Sequence, residues 1–136
     1  MNVVNLDWAF AQFTEHWRPR IAGSVNDYVV KLVKFQGEFV WHKHDDTDEL
    51  FLVHKGQMTI RFRDRDVHLD AGEMFIIPRG VEHITLADEE CEALLFEPGG
   101  TRNTGDVEDA GKTAVVEPLV RGSKRVASVR SPPAGK

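Results

Sequence analysis

A chain of 136 residues, 41% of them hydrophobic, with a single cysteine and a formal charge of -5, has the length of one compact domain that can bury its own core. Lone Cys91, set between Glu90 and Glu92, excludes an internal disulfide framework, and an acidic body repels phosphate backbones, so no nucleic-acid partner is expected. The opening Met1-Asn2-Val3-Val4-Asn5 has no basic run leading into an apolar one, and no stretch approaches the roughly 20 apolar residues of a membrane span. A soluble, cytoplasmic protein without membrane contact is expected.

Residues 1–19 form the first segment. Leu6, Phe10, Phe13 and Trp17, spaced by four, three and four, predict a short helix with Asn5 as N-cap, Asp7 in its first turn and Pro19 ending it. Its aromatic stripe serves as a lid packed on the domain or as part of a dimer contact. Residues 20–120 read as strands. Tyr28 to Phe35, Glu49 to His54, Met58 to Phe62 and Ala93 to Phe96 are β-branched, aromatic or alternating. Asn26-Asp27, Gln36-Gly37, Lys55-Gly56, Arg63 to Asp66, Ala71-Gly72 and Pro78-Arg79-Gly80 are the turns between them, at the spacing of an all-β sandwich or barrel. Glu97 to Gly105 is a loop rich in turn residues that closes the barrel or supports a dimer. Residues 121–136 carry Arg121, Lys124, Arg125, Arg130 and Lys136 without an acid, and read as a flexible basic tail.

Strand parity sorts the six histidines. His68, between the inward Val67 and Leu69, faces out. His54 is out of phase with Glu49, Phe51 and Val53, and His16 falls on the helix. His42 and His44, one residue apart on a strand, point to the same side and reach a single ion. With Glu49 and His83 they make three imidazoles and one carboxylate, a set that suits one divalent transition metal (Fe, Ni, Zn, Mn or Cu) and leaves coordination positions open. Trp41 and Lys43 point away from it. Asp45-Asp46-Thr47-Asp48 lacks the alternating ligands and central glycine of a calcium loop, although Asp46 or Asp48 can orient a histidine from behind. Glu82, next to His83, is an acid beside the site or a rim residue. The cavity walls are expected at Phe35, Phe51, Met58, Phe75 and Leu95, with Val53 and Ile77 also inward.

The spacing of these residues resembles the two motifs of the cupin superfamily. The first runs Gly37, four residues, His42, Lys43, His44, four residues, Glu49, six residues, Gly56; the second runs Gly72, five residues, Pro78, Arg79, Gly80, two residues, His83, three residues, Ala87. The first spacer is one residue shorter than the family pattern, and Ala87 replaces a closing Asn that is not a ligand. The resemblance implies a single jelly-roll β-barrel with a short N-terminal helix, and His42, His44, Glu49 and His83 as metal ligands. It also implies a metal-dependent dioxygenase or isomerase, such as a mannose-6-phosphate isomerase-like cupin, acting on a small molecule. Glu49 then either stays a ligand or detaches to act as the catalytic base. A non-enzymatic metal- or ligand-binding module is the alternative. Small cupins of this length resemble homodimers.

Overall fold

The structure, a computed structural model, describes residues 2–109, 111–114 and 116–119, so the basic tail expected over 121–136 lies outside the described residues. Helix α1 spans Leu6–Phe10, and the Asn5 side chain caps it by accepting from the Trp8 N–H at 2.9 Å. It is shorter than the aromatic spacing predicts. Beyond Ala11 the backbone turns to β2 (Tyr28–Glu38) for its hydrogen bonds: His16 bridges Lys34, and the Trp17 N–H donates to the Lys34 carbonyl at 2.9 Å. An extended segment therefore buries Phe13 and half-buries Trp17, and His16 lies off the helix, paired with Glu90 at 2.7 Å. Phe10 and Phe13 pack with Ala9 against Leu32, on the outer face of the sheet.

The remaining strands are β1 (Arg20–Val25), β3 (Glu49–Lys55), β4 (Gln57–Phe62), β5 (Asp66–Asp70), β6 (Met74–Ile77), β7 (His83–Pro98) and β8 (Glu117–Pro118). Alternation decides which face each strand buries. Met58, Ile60 and Phe62 of β4, and Phe51 and Val53 of β3, join Val33, Phe35, Ala93 and Leu95 in one inner core. Cys91 is sealed in this core, and burial, together with the charge of Glu92, pushes its thiol up to about 12. Gln36-Gly37 is not a turn: β2 runs through it, with a break in register between Phe35 and Gly37. Gly37 takes φ 82°, the geometry of a glycine bulge that lets the strand bend and continue.

Strand β7 organises the fold. It pairs antiparallel with β2 on one side; on the other it pairs with β4 near its start and with β3 near its end. The outer strands β5, β6 and β8 do not pair with one another, so the jelly roll wraps its core without becoming the closed barrel expected from the sequence. Among the described residues, no helix is long and apolar enough to cross a membrane.

Candidate metal centre

His83 is the first residue of β7, whereas His42 and His44 lie in a connection that is extended but not a strand. A single antiparallel bridge replaces the strand that the sequence suggested. The His42 N–H donates to the His83 carbonyl at 3.0 Å, and the His83 N–H donates to the His42 carbonyl at 2.9 Å. This reciprocal pair fixes the two imidazoles side by side, with ring centroids 4.4 Å apart. The His44 carbonyl accepts from the Gly80 N–H at 2.8 Å, which ties it to the turn after Pro78, where Gly80 takes φ 76°. Glu49, the first residue of β3, faces Ile77 of β6 in register.

One donor atom from each of His42, His44, Glu49 and His83 falls within 4.8 Å of the others, and all four residues are buried. Glu49 Oε2 lies 3.3 Å from His44 Nε2, and Glu49 Oε1 lies 3.5 Å from His83 Nε2. The rings are aimed from behind by backbone. His42 Nδ1 donates to the Val40 carbonyl at 2.8 Å and His83 Nδ1 to the Val81 carbonyl at 2.9 Å, which leaves each Nε2 as a lone pair facing the cluster. Neither Asp46 nor Asp48 does this job. Asp48 instead accepts from the Arg79 N–H at 2.9 Å and braces the turn. Burial, reinforced by the adjacent His83, pushes His42 down to about 4, so it is neutral and ready to ligate near neutrality. Burial would push Glu49 up, but the His44 and His83 imidazoles facing it override that and hold the carboxyl well below its ordinary range.

The other histidines are apart from this cluster. His68 is exposed and shares a hydrogen bond with the Thr59 hydroxyl at 2.8 Å, and His54 stacks on Phe10 and meets Asp7 at 2.8 Å. Trp41 and Glu82 both meet Arg63 on the surface, the guanidinium lying 3.7 Å from the indole centroid and 3.3 Å from the Glu82 carboxylate, so Glu82 is a rim residue. Lys43 pairs outward with Asp45 at 3.2 Å.

A cavity of about 30 Å³ adjoins the cluster. Phe35, Phe51 and Leu95 line it as expected, but Met58 and Phe75 do not; they pack in the core, and Trp17, Phe39 and Thr85 stand at the walls instead. A second buried group was missed from the sequence. Lys31 Nζ lies 2.8 Å from Glu97 Oε1 and 3.0 Å from the Thr101 carbonyl, with both side chains 1% exposed. Glu97 adjoins Glu49, and burial, followed by the Glu49 charge, pushes its carboxyl up to about 9. Parity carried the signal: Lys31 is in phase with Val33 and Phe35, and Glu97 with Ala93 and Leu95.

Comparison with known proteins agrees with this architecture. A protein of Bacillus subtilis (strain 168), YdbB, is 45% identical over 62 residues, which cover 45% of this chain and 55% of that protein; the chain thus spans about half the length of that curated relative. Among solved structures, a cupin-2 domain containing protein from Shewanella frigidimarina NCIMB 400 superposes with a TM-score of 0.70 at 52% identity, covering 71% of this chain and 94% of that one. Protein NMB1881 from Neisseria meningitidis gives a TM-score of 0.66 at 28% identity, covering 71% and 99% respectively. The cupin domain model matches residues 29–97, from β2 through nearly all of β7, and with it the whole histidine and glutamate cluster: the chain belongs to the cupin family.

Proposed function

We propose that this protein is a divalent-metal-dependent enzyme that oxygenates or isomerises a small oxygenated metabolite, with His42, His44, Glu49 and His83 as metal ligands. One observation carries the reading. Within the buried cluster, His44 Nε2, His83 Nε2 and Glu49 Oε1 have no hydrogen-bond partner among the described residues. Buried polar atoms left unpaired are costly, and a cation among them supplies what is missing. Three imidazoles and a carboxylate fit Fe, Ni, Zn, Mn or Cu without choosing among them.

A divalent ion bound there supplies Lewis acidity toward a carbonyl or hydroxyl oxygen and, if redox-active, electron transfer. The chain supplies the rest. The Val40 and Val81 carbonyls hold the His42 and His83 tautomers, and Phe35, Phe51 and Leu95 keep bulk water from the neighbouring cavity. Glu49 is the one group in the cluster that can either ligate or take a proton from a bound hydroxyl or C–H, which makes it the candidate base.

Elemental analysis of protein purified without added metal, beside a variant lacking all four side chains, tests the reading. Near-stoichiometric transition metal in the native protein alone is expected; equal and negligible metal in both, even after reconstitution, would overturn it. A second reading, a non-enzymatic metal-binding module, is supported by the small cavity. It is favoured if the loaded native protein shows no spectral change with any small oxygenated compound. We extend the proposal to a homodimer in the cytoplasm, a placement with which a single sealed thiol accords.

A further inference from the structure

The walls of the cavity beside the cluster are aromatic and aliphatic almost throughout. Trp17 stacks on Phe35 at 4.9 Å and on Phe39 at 4.6 Å, and Phe51, Val33 and Leu95 close the opposite sides. Among the described residues, the polar side chains that line it besides His42 and Glu49 are Thr85, Asn103 and, through its indole N–H, Trp17, and no lysine or arginine lines it. Asn103 is fully committed. Its amide donates to the Trp17 carbonyl at 3.3 Å and to the Lys112 carbonyl at 2.7 Å, and its oxygen accepts from the Ala114 N–H at 3.0 Å. Thr85 is different: it is 2% exposed and brings a hydroxyl to the cavity wall. Buried Lys31 does not line the cavity; its ammonium is held by Glu97 and by the Thr101 carbonyl.

An anionic ligand would leave water for a chamber of rings that already contains the Glu49 carboxylate and offers no cationic side chain. Only a bound divalent ion can offset that charge, and Glu49 already takes up half of the ion's, so a doubly charged phosphate or dicarboxylate is disfavoured. A molecule with an apolar body suits these walls, and its oxygen head group meets the Thr85 hydroxyl. We propose that the site takes a small ligand with an apolar or aromatic body and one oxygen-bearing head group of at most one negative charge, which the Thr85 hydroxyl hydrogen-bonds and which Trp17 admits by swinging aside. This rests on the metal-site reading above.

The role of Trp17 follows from size. About 30 Å³ holds one or two water molecules, so a larger guest needs a wall to move. Phe35, Phe51 and Leu95 are buried in the core, whereas Trp17 is half-buried and belongs to the segment outside the sheet. Its backbone takes φ 64°, a left-handed conformation unfavourable for a bulky side chain, held by its hydrogen bonds to Lys34 and Asn103 and by the two ring stacks. The indole can leave its stack while those backbone bonds stay in place.

The test uses the full chain loaded with cobalt(II), whose visible absorption reports a new ligand, with cobalt content measured on every sample. Benzohydroxamic acid, aromatic and bound to cobalt as a singly charged hydroxamate, is compared with oxalate and inorganic phosphate. Benzohydroxamic acid is expected to bind most tightly. Thr85→Val should weaken it about 5- to 10-fold at unchanged cobalt content, Thr85→Ser should restore it, and Trp17→Ala should speed its association about tenfold or more. Tighter binding of oxalate or phosphate, or a Thr85→Val protein indistinguishable from the parent, overturns the ligand class while leaving the metal site standing. Protein that takes up no cobalt sinks the metal reading itself and this inference with it.

Discussion

His42 is held neutral by its surroundings, and that has a consequence for acid stability. In the unfolded chain its imidazole titrates near 6.5, whereas in the fold burial lowers it to about 4. Between those values the unfolded state binds the extra proton, so metal-free protein loses stability as the pH falls through the window, by on the order of 3 kcal/mol. Glu49, held well below its ordinary range, acts in the same direction at still lower pH. Urea midpoints of chelator-treated protein should therefore drop between about pH 6.5 and 4, and His42→Gln should flatten the slope; equal slopes would refute the assignment. The Lys31–Glu97 pair supports an asymmetric prediction. Glu97, with its carboxyl pushed up, tolerates losing its cation by keeping a proton, whereas Lys31 without Glu97 is a buried charge with only a carbonyl beside it. Glu97→Leu should cost roughly 3–5 kcal/mol and Lys31→Met markedly less, read from denaturant midpoints; the reverse order would mean that Glu97 is held as a carboxylate. The four residues of the cluster could be grouped from the sequence because their spacing is local except for His83. Lys31 and Glu97 were not, because a charged residue at an inward position looks like a surface residue until its partner, far along the chain, is known to face it.

At the scale of elements, the turns carry the most specific demands. Gly56 joins β3 to β4 at φ 86°, and a Cβ there would sit 2.8 Å from the Glu90 carbonyl oxygen. Gly72 has the same φ of 86° with nothing within 4 Å. Gly56→Ala should thus cost more than Gly72→Ala, roughly 1–3 kcal/mol against about 1 kcal/mol, as thermal melts of the two variants will show. Equal losses would mean that strain alone matters and the close approach of β7 does not. Gly56 and Gly80 were readable as tight turns because apolar strands flank them. Gly37 was misread for a physical reason: a glycine that bends a strand and one that ends it look alike locally, and only the pairing with β7 distinguishes them. The helix was overextended for a similar reason. A spacing of four, three and four fits α1, but the Lys34 carbonyl offered the Trp17 N–H a partner that the sequence does not display.

Across the whole molecule, the outer sheet face is apolar beyond what α1 covers. Leu50 lies opposite Ile76 and Phe96, and Leu52 opposite Met74 and Leu94, so one apolar sheet surface runs from β6 across β3 to β7. Met74 and Ile76 are 58% and 50% exposed, whereas Phe10 and Phe13 of the N-terminal stripe are buried in their own chain. The expected homodimer contact therefore falls on the β6 side rather than on the helix. Sedimentation should show a dimer that Ile76→Glu converts to monomer; a monomeric parent would refute it. Strand β7 finally bears on the order of events in folding. Because β2, β3 and β4 all find their partner in it, most of the sheet waits for a segment that is synthesised last among them, and its long-range pairings make closure slow. His83 arrives with that same strand and locks backbone to backbone with His42. The donor set is thus completed in the step that seals the core. A cation bound there would act as a latch on the finished molecule, adding stability by mass action and slowing the escape of a chain that has already folded.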